Sequence, residues 1–255
     1  MMEEKDFSWY PSPRYLLRKR LINRCLVSVG CEGKSVLEIG FGAGDMLCNF
    51  VDLGMKVYGY DFSELANKEA ARRLKSRKGA VNLFTSEEEV YTSQYDIVVA
   101  CEVLEHSEDD VGMLRRWNKL VEKGGYLIIS VPSRMKKWCL NDVWAGHYRR
   151  YEKKDLAGKL KSAGYEIVNF WSYPFPVNIV LDYLLDKEKK RQSSGGADSK
   201  EDATKQSGVK REAGQISRLF SRDWVVAPWH WLQLLFVNTD LGSGYLVMAK
   251  KINEE

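Results

Sequence analysis

The chain has 255 residues, 44% of them hydrophobic and 29% charged, which suits a globular protein and excludes a wholly disordered one. Lysine plus arginine number 39 against 35 aspartates and glutamates, and the resulting net charge of +4 is too small and too evenly spread to imply a nucleic-acid partner. Five scattered cysteines without a CxxC pair argue against a disulfide framework or zinc site and for a reducing, cytoplasmic setting.

The polar start, Met1 to Asp6, does not read as a secretory signal. Residues 1–30 are expected to form an N-terminal helical cover. Beyond them, short apolar runs alternate with helical patterns. Strands are predicted at Ser35–Ile39, Lys56–Tyr60, Ala80–Phe84, Asp96–Ala100, Tyr126–Val131, Tyr165–Trp171 and Gly244–Lys250. Helices are predicted at Asp45–Leu53, Glu64–Ser76 and Asp109–Val121. The last places Val111, Leu114, Trp117 and Leu120 on one face, with Lys123-Gly124-Gly125 as its expected stop. Such a βαβ series predicts a doubly wound, mostly parallel, seven-stranded α/β sheet with helices on both faces. The core is expected over 31–172, an insertion between strands six and seven over 173–241, and the last strand and tail over 242–255.

Within the insertion, 187–215 has no aromatic residue and almost no large aliphatic one, so it is expected to be a mobile coil. Its apolar ends, Tyr173–Leu185 and Trp224–Val237, are expected to form two short helices. These would serve as a lid, a core-packed wall, a lipid-surface contact or a dimer interface. Trp224–Val237 is cut by Pro228, His230 and Gln233 and is too short to span a bilayer.

The strongest local signal is Glu38-Ile39-Gly40-Phe41-Gly42-Ala43-Gly44, a buried strand ending in a glycine turn that opens a helix. Asp61 follows Gly40 at the end of the second strand, beside the first loop and within reach of a ribose. A dinucleotide site wants GxGxxG around a pyrophosphate. Here the third glycine comes one residue early and Glu38 precedes the loop, which suits a cationic, phosphate-free ligand better.

These residues, with YGYDFSE (Tyr58–Glu64), YDIVVACEVLEH (Tyr95–His106) and GGYLIISVPS (Gly124–Ser133), resemble class I S-adenosylmethionine-dependent methyltransferases. EVLEH is especially similar to ubiquinone-biosynthesis-type O-methyltransferases, and HYRRYEKKDL…AGY (His147–Tyr165) to their uncharacterised relatives. The resemblance implies a Rossmann-like methyltransferase fold and S-adenosylmethionine as cofactor. Glu38, Gly40, Gly42 and Gly44 would flank its methionine part and Asp61 its ribose. Phe62 would pack on adenine, Ser86 or Glu87 would lie near the adenine amino group, and Cys101 would lie beneath the sulfonium. Arg14 or Arg18 would meet its carboxylate.

Ligands in such sheets bind beyond the carboxyl ends of the strands, so Cys101–Asp109, Ser133–Tyr151 and the insertion are expected to face the acceptor. The three histidines, His106, His147 and His230, all fall in these segments. His147 and then His106 are the candidate catalytic bases. Glu102, Glu105 and His106 would share one helical face, a pattern similar to the metal motif of small-RNA 2′-O-methyltransferases, with His147 as a fourth ligand for Mg²⁺. Arg149 and Arg150 would attract an anionic acceptor or pair with Glu152 and Asp155. The expected function is methyl transfer by in-line displacement to an oxygen of a small-molecule or lipid- or sugar-linked acceptor. The alternatives are an NAD-type oxidoreductase and a non-catalytic binding module that keeps the fold.

Overall fold

The computed structural model describes residues 9–77, 79, 81–179 and 223–252. The chain enters through α1 (Pro13–Ser28), where Ser12 accepts a hydrogen bond from the Tyr15 amide and Pro13 takes the first helical position, where its missing N–H costs nothing. Then come β1 (Ser35–Ile39), α2 (Asp45–Asp52), β2 (Lys56–Tyr60), α3 (Glu64–Leu74), β3 (Val81–Phe84), α4 (Glu87–Val90) and β4 (Tyr95–Cys101). After them follow α5 (Asp110–Leu120), β5 (Val121–Pro132), α6 (Leu140–Ala145), α7 (Lys153–Ser162), β6 (Tyr165–Tyr173), α8 (Asp223–Leu234) and β7 (Gly244–Lys251).

The seven strands form one sheet in the order β3-β2-β1-β4-β5-β7-β6. The first five run parallel, and β7 is antiparallel to both β5 and β6. Alternation along each strand splits the core in two. Val36, Ile97, Val99 and Met248 pack with Leu21 and Ile22 of α1, Met46 and Phe50 of α2, and Ala66 and Ala70 of α3. Leu37, Val98, Ala100 and Val247 pack with Leu114 and Trp117 of α5 and Leu156 and Leu160 of α7. A Leu→Ala change at any of these fully buried leucines should cost about 2–5 kcal/mol. Because β1 turns toward β2 and β4 leads the other way, the crevice between their carboxyl ends is the switch point of the sheet.

The glycine pair Gly124-Gly125 does not stop α5. That helix ends at Leu120 and the chain passes directly into β5, with Gly124 at φ 76° inside the strand. The pairing shifts between Tyr95↔Val121 and Ile97↔Tyr126, and at Gly125 a Cβ would meet the Asp96 carbonyl at 2.7 Å. The expected coil 187–215 and most of the first insertion helix lie outside the described residues. The second insertion helix is α8, and it packs along α1. Among the described residues no helix is long and apolar enough to cross a membrane.

Candidate active site

The glycine loop joins β1 to α2. Gly40, Gly42 and Gly44 all have positive φ, at 72°, 51° and 75°. Gly44 has a second reason to be glycine, since a Cβ there would sit 2.7 Å from the Ala70 Cβ and 2.9 Å from its Cα. Asp61 leaves the end of β2 and ties this loop down. One carboxylate oxygen accepts from the Gly42 amide at 2.9 Å, and the other from the Ser63 amide at 2.9 Å. Each oxygen keeps a further lone pair for a ligand hydroxyl. Burial pushes the Asp61 carboxyl above its ordinary pKa, against those two hydrogen bonds.

Glu38, at the floor of the loop, is buried, and its Oε2 has no hydrogen-bond partner among the described residues. Burial drives its carboxyl well above the usual range, although Arg18 pulls it down. The Arg18 Nε is likewise buried and unpartnered. One unmet acceptor and one unmet donor, near enough to interact, fit a zwitterionic amino-acid group of the kind S-adenosylmethionine carries. Phe62 is 48% exposed, next to Asp61. Ser86 caps α4, accepting from the Glu88 amide at 3.2 Å and donating to its carboxylate at 2.8 Å. Cys101 ends β4 opposite Ser130.

Glu102 departs from the sequence pattern. Its φ is 57°, a left-handed conformation unusual for glutamate, and the following turn is only a single 3₁₀ turn, Leu104–His106. The side chain therefore turns toward α1 instead of joining Glu105 and His106. It pairs with Arg14 and Arg18, each at 3.3 Å, and accepts from Ser130 Oγ at 3.0 Å and the Tyr173 hydroxyl at 3.1 Å. Burial alone would raise its pKa, but Arg14 and Arg18 hold it below the usual range. The two arginines expected at the cofactor carboxylate are thus anchored on Glu102.

The structure brings Glu105, His106 and His147 together, with one potential ligand atom of each within 4.8 Å of the others. Glu105 is fully buried and neither carboxylate oxygen has a hydrogen-bond partner among the described residues. Burial, and then the charge of Glu102, push its pKa well up. The His106 and His147 rings meet edge to face, 4.8 Å between centroids. Burial and the neighbouring His147 lower His106 to about 4, so its imidazole is neutral at physiological pH. His147 Nδ1 lies 2.9 Å from Asp142 Oδ1, and its Nε2 lies 3.9 Å from Glu105.

Asp142 is buried in α6 and also receives the Arg150 Nε at 2.9 Å and the Cys139 amide at 2.8 Å. Burial works against its charge, but the bonds from His147 and Arg150 win and keep it ionised. An ionised Asp142 fixes the proton of His147 on Nδ1 and turns the Nε2 lone pair toward Glu105. Sequence reading missed Asp142. Its signal, a carboxylate three residues into a short helix, reads as an ordinary cap. Arg150 pairs with Asp142 and Arg149 with Asp110, not with Glu152 and Asp155. His230 does not join the other histidines. It is buried in α8, 3.1 Å from Gln233, which donates to the Leu17 carbonyl of α1.

Sheet order, antiparallel β7 and a glycine loop clamped by an acid from β2 define the Rossmann-like fold of class I S-adenosylmethionine-dependent methyltransferases. A family model described as a methyltransferase domain matches residues 13–169, and the chain belongs to that family. It is 35% identical over 139 residues to the ubiquinone biosynthesis O-methyltransferase of Bradyrhizobium sp. (strain ORS 278), covering 52% of this chain and 54% of that one. The chain spans about half the length of the first curated relatives it matches. Among solved structures it resembles the N-methyltransferase NodS of Bradyrhizobium japonicum WM9 in complex with S-adenosyl-L-homocysteine (TM-score 0.58, 14% identity, 98% of this chain and 94% of that one). It also resembles the (4+2) cyclase SpnF (TM-score 0.59, 16% identity, 98% and 86% covered). That the same fold carries a cyclase leaves the chemistry to be argued from the site.

Proposed function

We propose that the protein transfers the methyl group of S-adenosylmethionine to an oxygen of a small-molecule or lipid- or sugar-linked acceptor. The family match and the crevice between the glycine loop and Asp61 support the donor. The observation that carries the choice of oxygen is the cluster of buried Glu105 with half-buried His106 and His147. A hydroxyl must lose a proton to become a good nucleophile, and this cluster supplies groups that take or displace one.

In this reading, the Gly40, Gly42 and Gly44 backbone cradles the methionine part of the donor while Glu38 Oε2 and Arg18 Nε meet its charged ends. Asp61 accepts from the ribose hydroxyls, Phe62 covers adenine, Ser86 borders it, and Cys101 lines the pocket under the sulfonium. The acceptor oxygen attacks the methyl carbon in line. The carbon–sulfur bond breaks with its electron pair going to sulfur, and the hydroxyl proton passes to His147 Nε2. Asp142 then stabilises the imidazolium through Nδ1–H. The donor is already activated, so most of the remaining work is alignment and exclusion of water.

A divalent cation such as Mg²⁺ fits the same residues. Glu105 offers an unpartnered carboxylate, and His106 and His147 offer imidazoles, the second oriented by Asp142 in the carboxylate–histidine manner of metal sites. Bound there, the ion would polarise the acceptor hydroxyl.

Calorimetry should show binding of S-adenosylmethionine and not of NAD; the reverse overturns the donor. Against hydroxylated aromatic acceptors and their amine counterparts, S-adenosylhomocysteine should form with the hydroxyl set, and release with the amines alone overturns oxygen. Undiminished turnover in EDTA would remove the metal and leave His147 as base.

A further inference from the structure

Charge that is even along the chain as a whole is uneven between β5 and α7. Residues 133–151, which supply His147 to the acceptor cluster, hold five cations and one carboxylate, Asp142. Arg150 is paired with Asp142 and Arg149 with Asp110. Arg134, Lys136 and Lys137 stand apart from these pairs, on and just before the single 3₁₀ turn Met135–Lys137 at the carboxyl end of β5.

Arg134 is strained in its backbone and underused in its side chain. Its φ is 59° and its ψ 115°, and among the described residues only Glu102 is also a non-glycine at positive φ. Strain of this kind gathers at ligand sites. Among the described residues its guanidinium meets no carboxylate within ion-pair distance. Nη2 donates to the Leu241 carbonyl at 3.1 Å and the Gly242 carbonyl at 2.6 Å, and Nε is buried with no hydrogen-bond partner. The acids around it are engaged elsewhere, Glu152 by the Met135 amide at 3.1 Å and Asp240 by the Tyr245 hydroxyl. The Gly242 carbonyl is itself oversubscribed. It has two lone pairs, yet Arg134 Nη2, Lys137 Nζ at 3.3 Å and Ser133 Oγ at 3.0 Å all reach it. One donor is surplus, and two cations converge on a neutral oxygen, an arrangement that an anion would relieve.

We propose that the acceptor carries a phosphate or diphosphate ester and that Arg134, with Lys136 and Lys137, selects it. This rests on methyl transfer at the Glu105, His106 and His147 cluster, to which the turn is joined by short steps. The Arg134 amide donates to the Tyr151 carbonyl at 2.7 Å, the Arg150 amide reaches Met135 Sδ at 3.2 Å, and Arg150 shares Asp142 with His147. Swung outward, the guanidinium would offer Nε and one Nη as a fork, the geometry in which arginine holds phosphate, while Lys137 and Ser133 keep the Gly242 carbonyl. Three cations on one short turn suit a multiply charged ester better than a lone carboxylate.

The probe is inorganic pyrophosphate, titrated in a calorimeter into the full chain saturated with S-adenosylhomocysteine. EDTA excludes a bridging metal, and about 0.1 M sodium chloride screens diffuse attraction. The wild type should bind saturably. Arg134→Gln should weaken binding about tenfold, the scale of one lost charge-assisted bond. Arg134→Gly should weaken it as much while melting no lower, because glycine accepts a positive φ, so the loss is not one of folding. Lys123→Gln, exposed near the opposite end of β5, should change nothing. Orthophosphate tells the source: equal affinity assigns a simple phosphate ester, and a preference for pyrophosphate assigns a diphosphate-linked sugar or lipid. A wild type that does not bind saturably, or binding that survives both Arg134 substitutions, overturns the proposal. The donor is scored separately, since S-adenosylhomocysteine is titrated first. If it fails to bind, methyl transfer falls with the donor; if it binds and pyrophosphate does not, the phosphate ester alone falls.

Discussion

The two sides of the crevice are made of different material. On the proposed donor side, a stretch of main chain would do the holding. Three glycines at positive φ shape the turn, their amides donating to the Tyr60 carbonyl, Asp61 and the Phe41 carbonyl, and one carboxylate, Asp61, pins the loop. On the acceptor side, the surfaces are side chains brought from afar: Glu105 and His106 after β4, His147 and Asp142 around α6. Backbone can hold a constant ligand with little sequence variety, whereas side chains at a loop-built face set what reacts. The comparison implies that changes on the donor side should act on affinity and folding, and changes on the acceptor side on turnover.

The sharpest way to break this division is His147→Ala. Turnover should fall about a thousandfold with donor affinity unchanged in calorimetry, since loss of a general base removes transition-state help alone. A matching loss of affinity would merge the two sides. Asp61→Ala should do the converse, weakening S-adenosylmethionine about a hundredfold, because it removes a ribose acceptor and loosens Gly42 together. Gly44→Ala should cost about 2 kcal/mol of stability in urea melts, since it adds both a left-handed alanine and a clash with the Ala70 backbone. Asp142→Asn keeps the shape but no longer fixes the His147 tautomer. Turnover should drop about tenfold and its dependence on pH should change, while the melting temperature moves little.

The smallest effect lies outside the crevice. Burial, then Arg20 and Arg24, lower the pKa of His230 below 6.5. The unfolded chain therefore takes up this proton before the folded one, and stability falls as pH drops from 6.5 toward the folded value. His230→Gln should flatten that slope in melts recorded over the same interval.

Most of the donor side could be read from the sequence, and little of the acceptor side. β1 and β2 fall on their predicted bounds because their short runs and the signals that end them, Gly40 after β1 and Asp61 after β2, are local properties of the sequence. The glycine loop is local as well. Glu102 was legible as a residue and not as a role. Its left-handed backbone breaks the expected helical face, and its arginine partners stand 88 and 84 positions earlier in the sequence. Asp142, His147 and Arg150 meet across a glycine-ended turn with no repeating pattern. In α8 the rule that apolar residues face inward fails, because His230 and Gln233 sit on the inner side, where the Gln233 amide meets the His230 ring and donates to the Leu17 carbonyl of α1.

The placement of β7 has a bearing on how the chain is made. It is the wedge between β5 and β6, yet it follows them only after the whole stretch from Tyr173 to Gly244. At roughly 5–20 residues per second of translation, β5 and β6 wait several seconds with bare edges before their shared neighbour emerges from the ribosome. A nascent chain in that interval offers two unpaired strand edges to whatever is near, and it is then that a holding chaperone would have most to protect.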